Sequence, residues 1–236
     1  MDLARLRAAF PTRQILYFDS LDSTMRVAAA SPPGTVVIAD RQLAGLGRHG
    51  HTWHSEPGQG IYCSLVLPPA PVVTLALGVA AADAIAQASG ISCDLRWPND
   101  LMLDNRKVAG ILVQLVNGNA IAGIGINVNH PSFPPELAAQ AISLRQHAGR
   151  EISREDILIA LLPAIDSVIG EDTETILRLF THASSYAAGK RVTVNQPGGE
   201  ISGTTAGLNP AGFLIVRKDD GADTVILAGG VRASGS

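Results

Sequence analysis

Two short segments of the chain concentrate residue types that bind anions. In the first, Gly45, Gly47 and Gly50 alternate with bulky or basic residues within 41–53. Glycine at this density lets backbone N–H groups approach an anion closely, and the forked guanidinium of Arg48 suits a phosphate or a carboxylate. The segment lacks the Gly-Lys-Ser/Thr of a Walker A loop, and no helix pattern follows it. It predicts a phosphate-binding loop, with a flexible surface loop as the structural alternative.

The second segment runs from residue 96 to residue 112 and contains Arg-Trp-Pro-Asn-Asp-Leu. Pro98 ends a strand, Asn99 and Asp100 are predicted to form a polar turn, and Lys107 stands at the start of the next apolar strand. A lysine there suits an enzyme that forms an acyl phosphate, because its point charge draws two anions together and neutralises the pentavalent phosphorus. The alternative is a hairpin whose basic edge residue protects against aggregation.

These segments occur in an order that resembles the biotin–protein ligase family. Asp22-Ser23-Thr24 precedes them and a Gly-Ile-Gly-Ile-Asn run ending at Asn127 follows them. The family's patterns are an early Asp-Ser-Thr, then GRGRxGRxW, then [KR]WPNDL followed by Lys-x-Ala-Gly-Ile-Leu, then Gly-x-Gly-x-Asn. The resemblance covers residues 15–130. It implies that ATP and Mg²⁺ are used to convert biotin to biotinyl-5′-AMP, and that the biotin is then transferred to a lysine of a carboxylase biotin-carrier protein or domain.

The resemblance also implies a role for each matching position. Catalysis would fall to Lys107, Arg48 and Asp100, with Asp100 orienting Lys107 or the incoming acceptor lysine. The positions implied for biotin are Ser23, Thr24, Gln42, Gly45, Gly47, Arg48, Lys107, Gly110 and Gly123. The positions implied for ATP are Arg48, Trp53, Asn99, Lys107 and Asn127. The structural alternatives are a helix N-cap for Ser23 and Thr24 and a core position for Trp53; no metal ligand is assigned.

Three positions depart from the family's patterns. Leu46 and His51 stand where the pattern has arginine, and Met25 stands where asparagine is frequent. Because Leu46 removes a charged side chain from the loop, we expect weaker retention of the adenylate or a changed affinity for biotin or ATP. His49, His51 and His54 have no carboxylate at ligand spacing, which favours solvated histidines over a metal site.

The elements that must position these residues are strands and a few helices. Runs rich in Ile, Val, Leu and Tyr predict strands over 15–21, 35–39, 61–67, 94–97, 108–116 and 120–128. Asn117-Gly118 predicts a two-residue hairpin. A buried helix is predicted over 75–89, stopping before Gly90, an amphipathic helix is predicted after Ser153, with Pro163 inside it, and another helix is predicted over 173–186.

After Gly189 the chain changes to short strands separated by turn residues. Strands are predicted over 191–195, 200–207, 213–218 and 224–227, with Pro197-Gly198-Gly199 as one of the turns. This pattern predicts a small β-barrel, which matches the SH3-like C-terminal domain of the family. The predicted fold class is therefore α+β: a mixed-sheet catalytic domain of the biotin/lipoate ligase type over 1–187 and an SH3-like barrel over 188–236.

Composition narrows the classes of protein. The hydrophobic fraction of 46% supports a packed core, and a net charge of -3 without a long basic block argues against nucleic-acid binding. Cys63 and Cys93 lack metal or disulfide spacing and are predicted to be reduced thiols. The N-terminus does not resemble a signal peptide, and the longest apolar stretch, 75–88, is too short to cross a bilayer. We expect a cytoplasmic protein without a membrane partner.

Three alternatives to the biotin ligase remain at this stage. A lipoate ligase or octanoyl transferase shares the architecture, but the Trp-Pro-Asn-Asp-Leu motif argues against it. A biotin-responsive regulator would need a helix-turn-helix domain, for which the N-terminus is expected to leave no room. A paralogue that binds biotin but catalyses weakly is kept open by the altered loop. Family members can pair through an exposed sheet edge, so a homodimer is left open as well.

Overall fold

A mixed β-sheet forms the framework of the first part of the chain. The computed structural model describes residues 1–196 and 199–233. The strands of this sheet are β1 (Ile15–Phe18), β2 (Val36–Ala39), β3 (Gly60–Leu67), β4 (Asp94–Arg96), β5 (Asp100–Leu103), β6 (Arg106–Val116) and β7 (Asn119–Asn127). Their order is β1-β2-β3-β7-β6-β5-β4, and only the pair β1 and β2 is parallel. The predicted mixed sheet is confirmed.

Helices cover the two faces of this sheet unequally. The helices are α1 (Leu3–Ala9), α2 (Thr24–Ala29), α3 (Val73–Ser89), α4 (Pro135–Ala138), α5 (Leu144–Ala148), α6 (Arg154–Ile169) and α7 (Thr173–His182). The long α3 packs against α6, α7 and β6, and its side chains are buried almost throughout. On the opposite face the short α2 lies on β2, β3 and β7 over a small second cluster of Met25, Ala28, Val37, Val66 and Ile121. The sheet therefore has one thickly covered face and one thinly covered face.

Local signals in the sequence set several of the boundaries. Gly90 adopts a left-handed conformation (φ 77°) and ends α3, as predicted, because a glycine carries no Cβ to strain that backbone. Ser153 caps α6 by accepting from the backbone N–H of Asp156. Asn117 and Gly118 both have positive φ, 50° and 79°, which is the geometry of the predicted two-residue hairpin between β6 and β7.

Several boundaries differ from the prediction for tertiary reasons. The helix predicted over 173–186 ends at His182, because the next residues bind β4: Ala183 accepts from the Leu95 N–H, and Ser184 Oγ donates to the Leu95 carbonyl at 2.5 Å. The turn predicted at Asn99 and Asp100 lies one position earlier, over 97–99, because Asp100 already pairs with β6 as the first residue of β5. The elements α1, α4, α5, β5 and the strand over Gly230–Ala233 were not predicted from the sequence.

A second, antiparallel sheet follows the mixed one. Its strands are β8 (Ala188–Gln196), β9 (Gly199–Leu208), β10 (Leu214–Arg217), β11 (Asp223–Ile226) and β12 (Gly230–Ala233), in the order β11-β10-β9-β8-β12. Five short antiparallel strands agree with the predicted SH3-like domain. The predicted turn at Pro197 and Gly198 and the last three residues of the predicted domain lie outside the described residues. Within the described ranges no helix is both long and apolar enough to span a membrane.

The packing of α3 against α6 generates a stability prediction. Leu161 of α6 is fully buried in the main core, so Leu161→Ala removes packed methyl groups and leaves a cavity. We expect the free energy of unfolding, measured by urea titration, to fall by about 3 kcal/mol. The control is Leu115→Ala, at a side chain that is 74% exposed, for which we expect a change below about 0.5 kcal/mol. Equal losses in the two variants would contradict this account of the core.

Candidate active site

A small pocket with a cavity volume of about 50 Å³, here called the inner pocket, opens on the thinly covered face of the sheet. It lies beneath α2 and the glycine-rich loop. Ten of the residues singled out in the sequence line it: Ser23, Thr24, Gln42, Gly47, Arg48, Trp53, Asn99, Lys107, Gly110 and Gly123. Met25, Leu46 and Leu112 complete its apolar wall. Residues from four distant parts of the chain thus converge on one cavity.

Three glycines form the floor of the inner pocket. Gly110 and Gly125 pair directly across β6 and β7, and Gly123 lies on the same face. A Cβ on Gly110 would lie 2.7 Å from Lys107 Cε, and one on Gly123 would lie 2.8 Å from Met25 Sδ. A Cβ on Gly125 would overlap the Trp53 indole. No side chain fits at these positions, and Gly125 was missed as a site residue although it lies within the Gly-x-Gly-x-Asn run.

One end of the inner pocket is polar. Gln42 Oε1 accepts from the Thr24 N–H at 2.9 Å and from Thr24 Oγ1 at 3.1 Å. Because a backbone N–H can only donate, the Gln42 amide must present its oxygen to Thr24. Its NH₂ group points the other way and donates to Ser55 Oγ at 3.3 Å. Thr24 Oγ1 also hydrogen-bonds Ser64 Oγ at 2.7 Å, a fully buried hydroxyl of β3. Ser64 lies in an apolar run, and no signal in the sequence marked it.

Two buried donors at the inner pocket have no protein partner among the described residues. They are Ser23 Oγ and Trp53 Nε1. Ser23 occupies the N-cap position of α2, but its side chain makes no capping hydrogen bond, so the N-cap interpretation holds for its position and not for its hydroxyl. Buried polar atoms are rarely left unpaired in folded proteins. A polar ligand in the inner pocket would satisfy both.

The other end of the inner pocket is charged. Lys107 Nζ lies 2.6 Å from Asp100 Oδ1, and Arg96 Nη2 donates to Asp100 Oδ2 at 2.7 Å. Burial alone would raise the pKa of the Asp100 carboxyl, but Lys107 and Arg96 outweigh burial and hold that pKa below its ordinary value of 3.8. Lys107 Nζ also lies 5.3 Å from the centre of the Trp53 ring. Arg96 stands in the motif, yet sequence reasoning gave it no role.

The backbone of Lys107 is fixed from both sides. Its N–H donates to the Gln140 carbonyl at 2.7 Å, and its carbonyl accepts from the Ile142 N–H at 3.0 Å. The pairing of β5 with β6 shifts register beside it, an irregularity that redirects side chains next to functional sites. The Asn127 amide donates to the carbonyls of Lys107 and Ile142 at 3.4 and 3.2 Å. Lys107 is therefore aimed by the main chain as well as by Asp100.

Arg48 reaches the same charged end from the glycine-rich loop. Its Nη1 donates to Asn99 Oδ1 at 2.8 Å, and Asn99 is held in turn by Ile111, through Nδ2 to the Ile111 carbonyl at 2.9 Å and through its own carbonyl to the Ile111 N–H at 3.0 Å. Burial lowers the pKa of the Arg48 guanidinium, and Asp100 opposes this effect. Two cationic side chains, Arg48 and Lys107, thus converge where an anion would lie.

The glycine-rich loop folds back on itself as a narrow ribbon. Gly47 N–H donates to the His51 carbonyl at 2.7 Å, and Trp53 N–H donates to the Gly45 carbonyl at 2.9 Å. A Cβ on Gly45 would lie 2.8 Å from the Trp53 carbonyl oxygen, so no side chain fits there. Leu46 packs against the second cluster, which contains Met25. Leu46 and Met25, which are both apolar and both depart from the family's pattern, therefore belong to one apolar region.

The inner pocket opens into a broader space with a cavity volume of about 680 Å³, here called the outer cleft. Asp100 and Asn127 line it together with Arg48, Trp53 and Lys107. Its far wall comes from the C-terminal sheet, through Asn195, Gln196 and residues 228–232. Within the described ranges no group of three or more His, Cys, Asp or Glu side chains is arranged to hold a metal ion.

The low pKa of Asp100 generates a pH-dependence prediction. A carboxyl whose pKa is depressed on folding stabilises the protein above its unfolded pKa, and that stabilisation is lost as the pH falls through the folded pKa. We expect Asp100→Asn to be less stable than the wild type at about pH 6, and the difference in unfolding free energy to narrow as the pH falls to about 3. Urea titrations of both proteins at the two pH values measure it. A difference that does not change with pH would contradict the assignment.

Two family models match the chain over the regions that form the two sheets. Residues 17–130 match the biotin/lipoate A/B protein ligase family. Residues 188–231 match the biotin protein ligase C-terminal domain. The first match contains every residue lining the inner pocket.

Individual relatives agree with these models. The chain is 32% identical over 230 residues to the bifunctional ligase/repressor BirA of Bacillus subtilis, covering 89% of the chain and 71% of that protein. It is 30% identical over 216 residues to the biotin–[acetyl-CoA-carboxylase] ligase of Mycobacterium tuberculosis, covering 86% and 80%. Among solved structures, the biotin protein ligase of Aquifex aeolicus in complex with biotin and ATP matches with a TM-score of 0.85 and 29% identity, over 94% of this chain and 99% of that one. The chain belongs to the biotin protein ligase family.

Proposed function

We propose that this protein uses ATP to convert biotin to biotinyl-5′-AMP and transfers the biotin to a lysine of a carboxylase biotin-carrier protein or domain. The observation that carries the proposal is the division of the inner pocket into a polar end and a cationic end joined by a glycine floor. A ureido ring needs donors and acceptors at one end, and a carboxylate needs positive charge at the other. Biotin has both groups, separated by an apolar chain.

The biotin-binding residues follow from this orientation. Ser23, Thr24 and Gln42 would bind the ureido ring, where Ser23 Oγ is unpaired. The ring system would lie over Gly110 and Gly123, with Gly45 and Gly47 closing the loop above it. This requires Met25 and Trp53 to yield part of the space they fill over the glycine floor. The valeryl carboxylate would reach Arg48 and Lys107.

In the first step a carboxylate oxygen of biotin attacks the α-phosphorus of ATP. A new P–O bond forms, the bond to the β-phosphate oxygen breaks, and pyrophosphate leaves. Lys107 and Arg48 offset the charge that two approaching anions and the pentavalent phosphorus create. Asp100, kept ionised by its low pKa, holds Lys107 in place. The rate gain comes from positioning and charge rather than from a covalent enzyme intermediate.

In the second step the ε-amine of the acceptor lysine attacks the acyl carbon. The amide bond forms, the bond to the AMP oxygen breaks, and a proton leaves the nitrogen. Asp100 lines the outer cleft and would face the incoming amine. Its low pKa makes it a weak base, so its role here would be to orient the amine rather than to remove its proton.

The outer cleft has room for the nucleotide. Trp53, Asn99 and Asn127 border it together with Arg48 and Lys107, so adenosine would lie there beside the phosphates. Mg²⁺ would enter the site bound to the ATP phosphates, since the described residues form no acidic cluster to hold it. The acceptor domain must approach the same opening. Pairing of two copies and a cytoplasmic location stay predictions.

The direct test is a transfer assay. The protein is incubated with ATP, Mg²⁺, biotin and an isolated biotin-acceptor domain, with lipoate as competitor, and the acceptor's mass is measured. A mass increase of one biotinyl group that lipoate does not suppress is expected. Incorporation of lipoate would favour the lipoate-ligase alternative. Biotin binding without transfer would favour the weakly catalytic paralogue.

Lys107 generates a sharper prediction. Lys107→Ala removes the point charge between the two anions, and we expect biotin-dependent ATP–pyrophosphate exchange to fall by at least about a thousandfold. Lys218→Ala in the C-terminal sheet is the matched control, because it removes a lysine that lines neither the pocket nor the cleft. Near-normal exchange by Lys107→Ala would refute the role.

The altered loop generates a prediction about adenylate retention. Leu46→Arg restores the charge of the family's pattern, and Met25→Asn removes an apolar neighbour that disfavours a guanidinium. We expect biotinyl-5′-AMP to dissociate more slowly from Leu46→Arg than from the wild type, and most slowly from the double variant, by about tenfold. Stopped-flow release of the adenylate measures these rates. No slowing in either variant would show that the missing charge does not weaken retention.

A further inference from the structure

Trp97 is the second residue of the segment 96–112, here called the catalytic segment, but it does not line the inner pocket. Its side chain is 4% exposed, and its indole N–H donates to the carbonyl of Gly212 at 2.9 Å. Gly212 belongs to the C-terminal domain, in the turn between β9 and β10. One hydrogen bond therefore joins the catalytic segment directly to the second domain.

The turn that accepts this hydrogen bond is closed by hydrogen bonds of its own. Asn209 Oδ1 accepts from the N–H groups of Ala211 and Phe213 at 3.0 and 2.9 Å, and the Asn209 and Phe213 backbones also pair at 2.8 Å. Gly212 has a φ of +82° and lies against Val72 and Leu75 at the start of α3, where a Cβ would collide. The Gly212 carbonyl is thus a fixed point on the surface of the first domain.

The other side of Trp97 leads to the charged end of the inner pocket. Arg96, its predecessor, binds Asp100, and Asn99, two residues later, binds Arg48. The short turn 97–99 connects them. The turn follows β4 directly, its first residue, Trp97, is bound to Gly212, and its last residue, Asn99, is bound to Ile111.

We propose that Trp97 is a positioning residue: the Gly212 carbonyl of the C-terminal domain holds its indole so that the turn 97–99 presents Asn99 to Arg48 and Arg96 to Asp100. The inference rests on the proposed function. It adds a role for Trp97, to which the mechanism above assigns none, and for the turn 97–99. Trp97 and Pro98 line the outer cleft and not the inner pocket. Loss of the hydrogen bond should therefore impair adenylate formation more than it impairs biotin binding, because it loosens the carboxylate contacts of Arg48 and Lys107 and leaves the polar end of the inner pocket in place.

The experiment compares three variants of the full chain. Trp97→Phe keeps an aromatic ring at this position and removes the N–H donor. Asn209→Ala loosens the accepting turn from the second domain without touching the catalytic segment. Asp223→Ala is the control, because it breaks an exposed ion pair with Arg217 within the same domain. For each variant we measure the Kd of biotin in the absence of ATP, and the kcat and biotin KM of ATP–pyrophosphate exchange.

We expect kcat to fall by about tenfold in Trp97→Phe and in Asn209→Ala, because small misplacements of catalytic groups are costly. The biotin Kd should rise by less, about threefold at most, because Ser23, Thr24 and Gln42 are untouched, and the control should match the wild type. Unchanged kcat in both variants would overturn the proposal. So would a loss of biotin binding in proportion to kcat, which would indicate a general structural role.

Hydrogen exchange separates this inference from the proposed function. The Ile111 N–H, which donates to the Asn99 carbonyl, should exchange about tenfold faster in both variants if the turn is loosened. A wild-type protein that does not catalyse ATP–pyrophosphate exchange would refute the proposed function. The hydrogen-exchange rate of the Ile111 amide would still decide whether Gly212 holds the turn. If Trp97→Phe does not fold, the kinetic constants and the Ile111 exchange rate are both measured on Asn209→Ala.

Discussion

The site depends on one carboxylate held between two cations. Asp100 binds Lys107 through one oxygen and Arg96 through the other, in surroundings that exclude much of the solvent. A buried charge without its partner is strongly destabilising, so each of the three groups requires the others. The arrangement of the chain around them meets this requirement: β5 starts at Asp100, its pairing with β6 slips beside Lys107, and the segment 140–142 fixes the Lys107 backbone.

The unequal covering of the sheet gives this charged group its place. The face under α3 and α6 carries the large core, which supplies rigidity. The opposite face is covered by the short α2 and a small apolar cluster. Its three glycines place no side chain on this face of β6 and β7. A ligand can therefore lie directly on the main chain of a sheet that is stabilised from behind. The second domain contributes the outer wall of the cleft and, through the Gly212 carbonyl, a hydrogen bond to the turn 97–99.

Much of this could be predicted from the sequence, because the signals are local. The Asn117-Gly118 hairpin, the Gly90 helix end and the Ser153 cap each depend on neighbouring residues, and all three are confirmed. Most of the site residues singled out in the sequence do line one pocket. The misses involve distant partners: the helix end at His182 is set by β4, Ser64 matters only because Thr24 lies above it, and Arg96 matters because Asp100 lies beside it. Periodicity and motif spacing do not indicate which residues from distant parts of the chain will contact each other.

Under the proposed function, the ion pair of Lys107 has a further chemical consequence. A mixed anhydride of a carboxylic acid reacts readily with free amines, and Lys107 would lie beside it throughout the catalytic cycle. An amine attacks through its lone pair, and an ammonium group has none. Lys107 Nζ is instead held in an ion pair, 2.6 Å from Asp100 Oδ1. The pairing that aims the lysine at the reacting groups would thus also keep it inert toward the product it helps to form, and reserve acylation for the lysine of the acceptor.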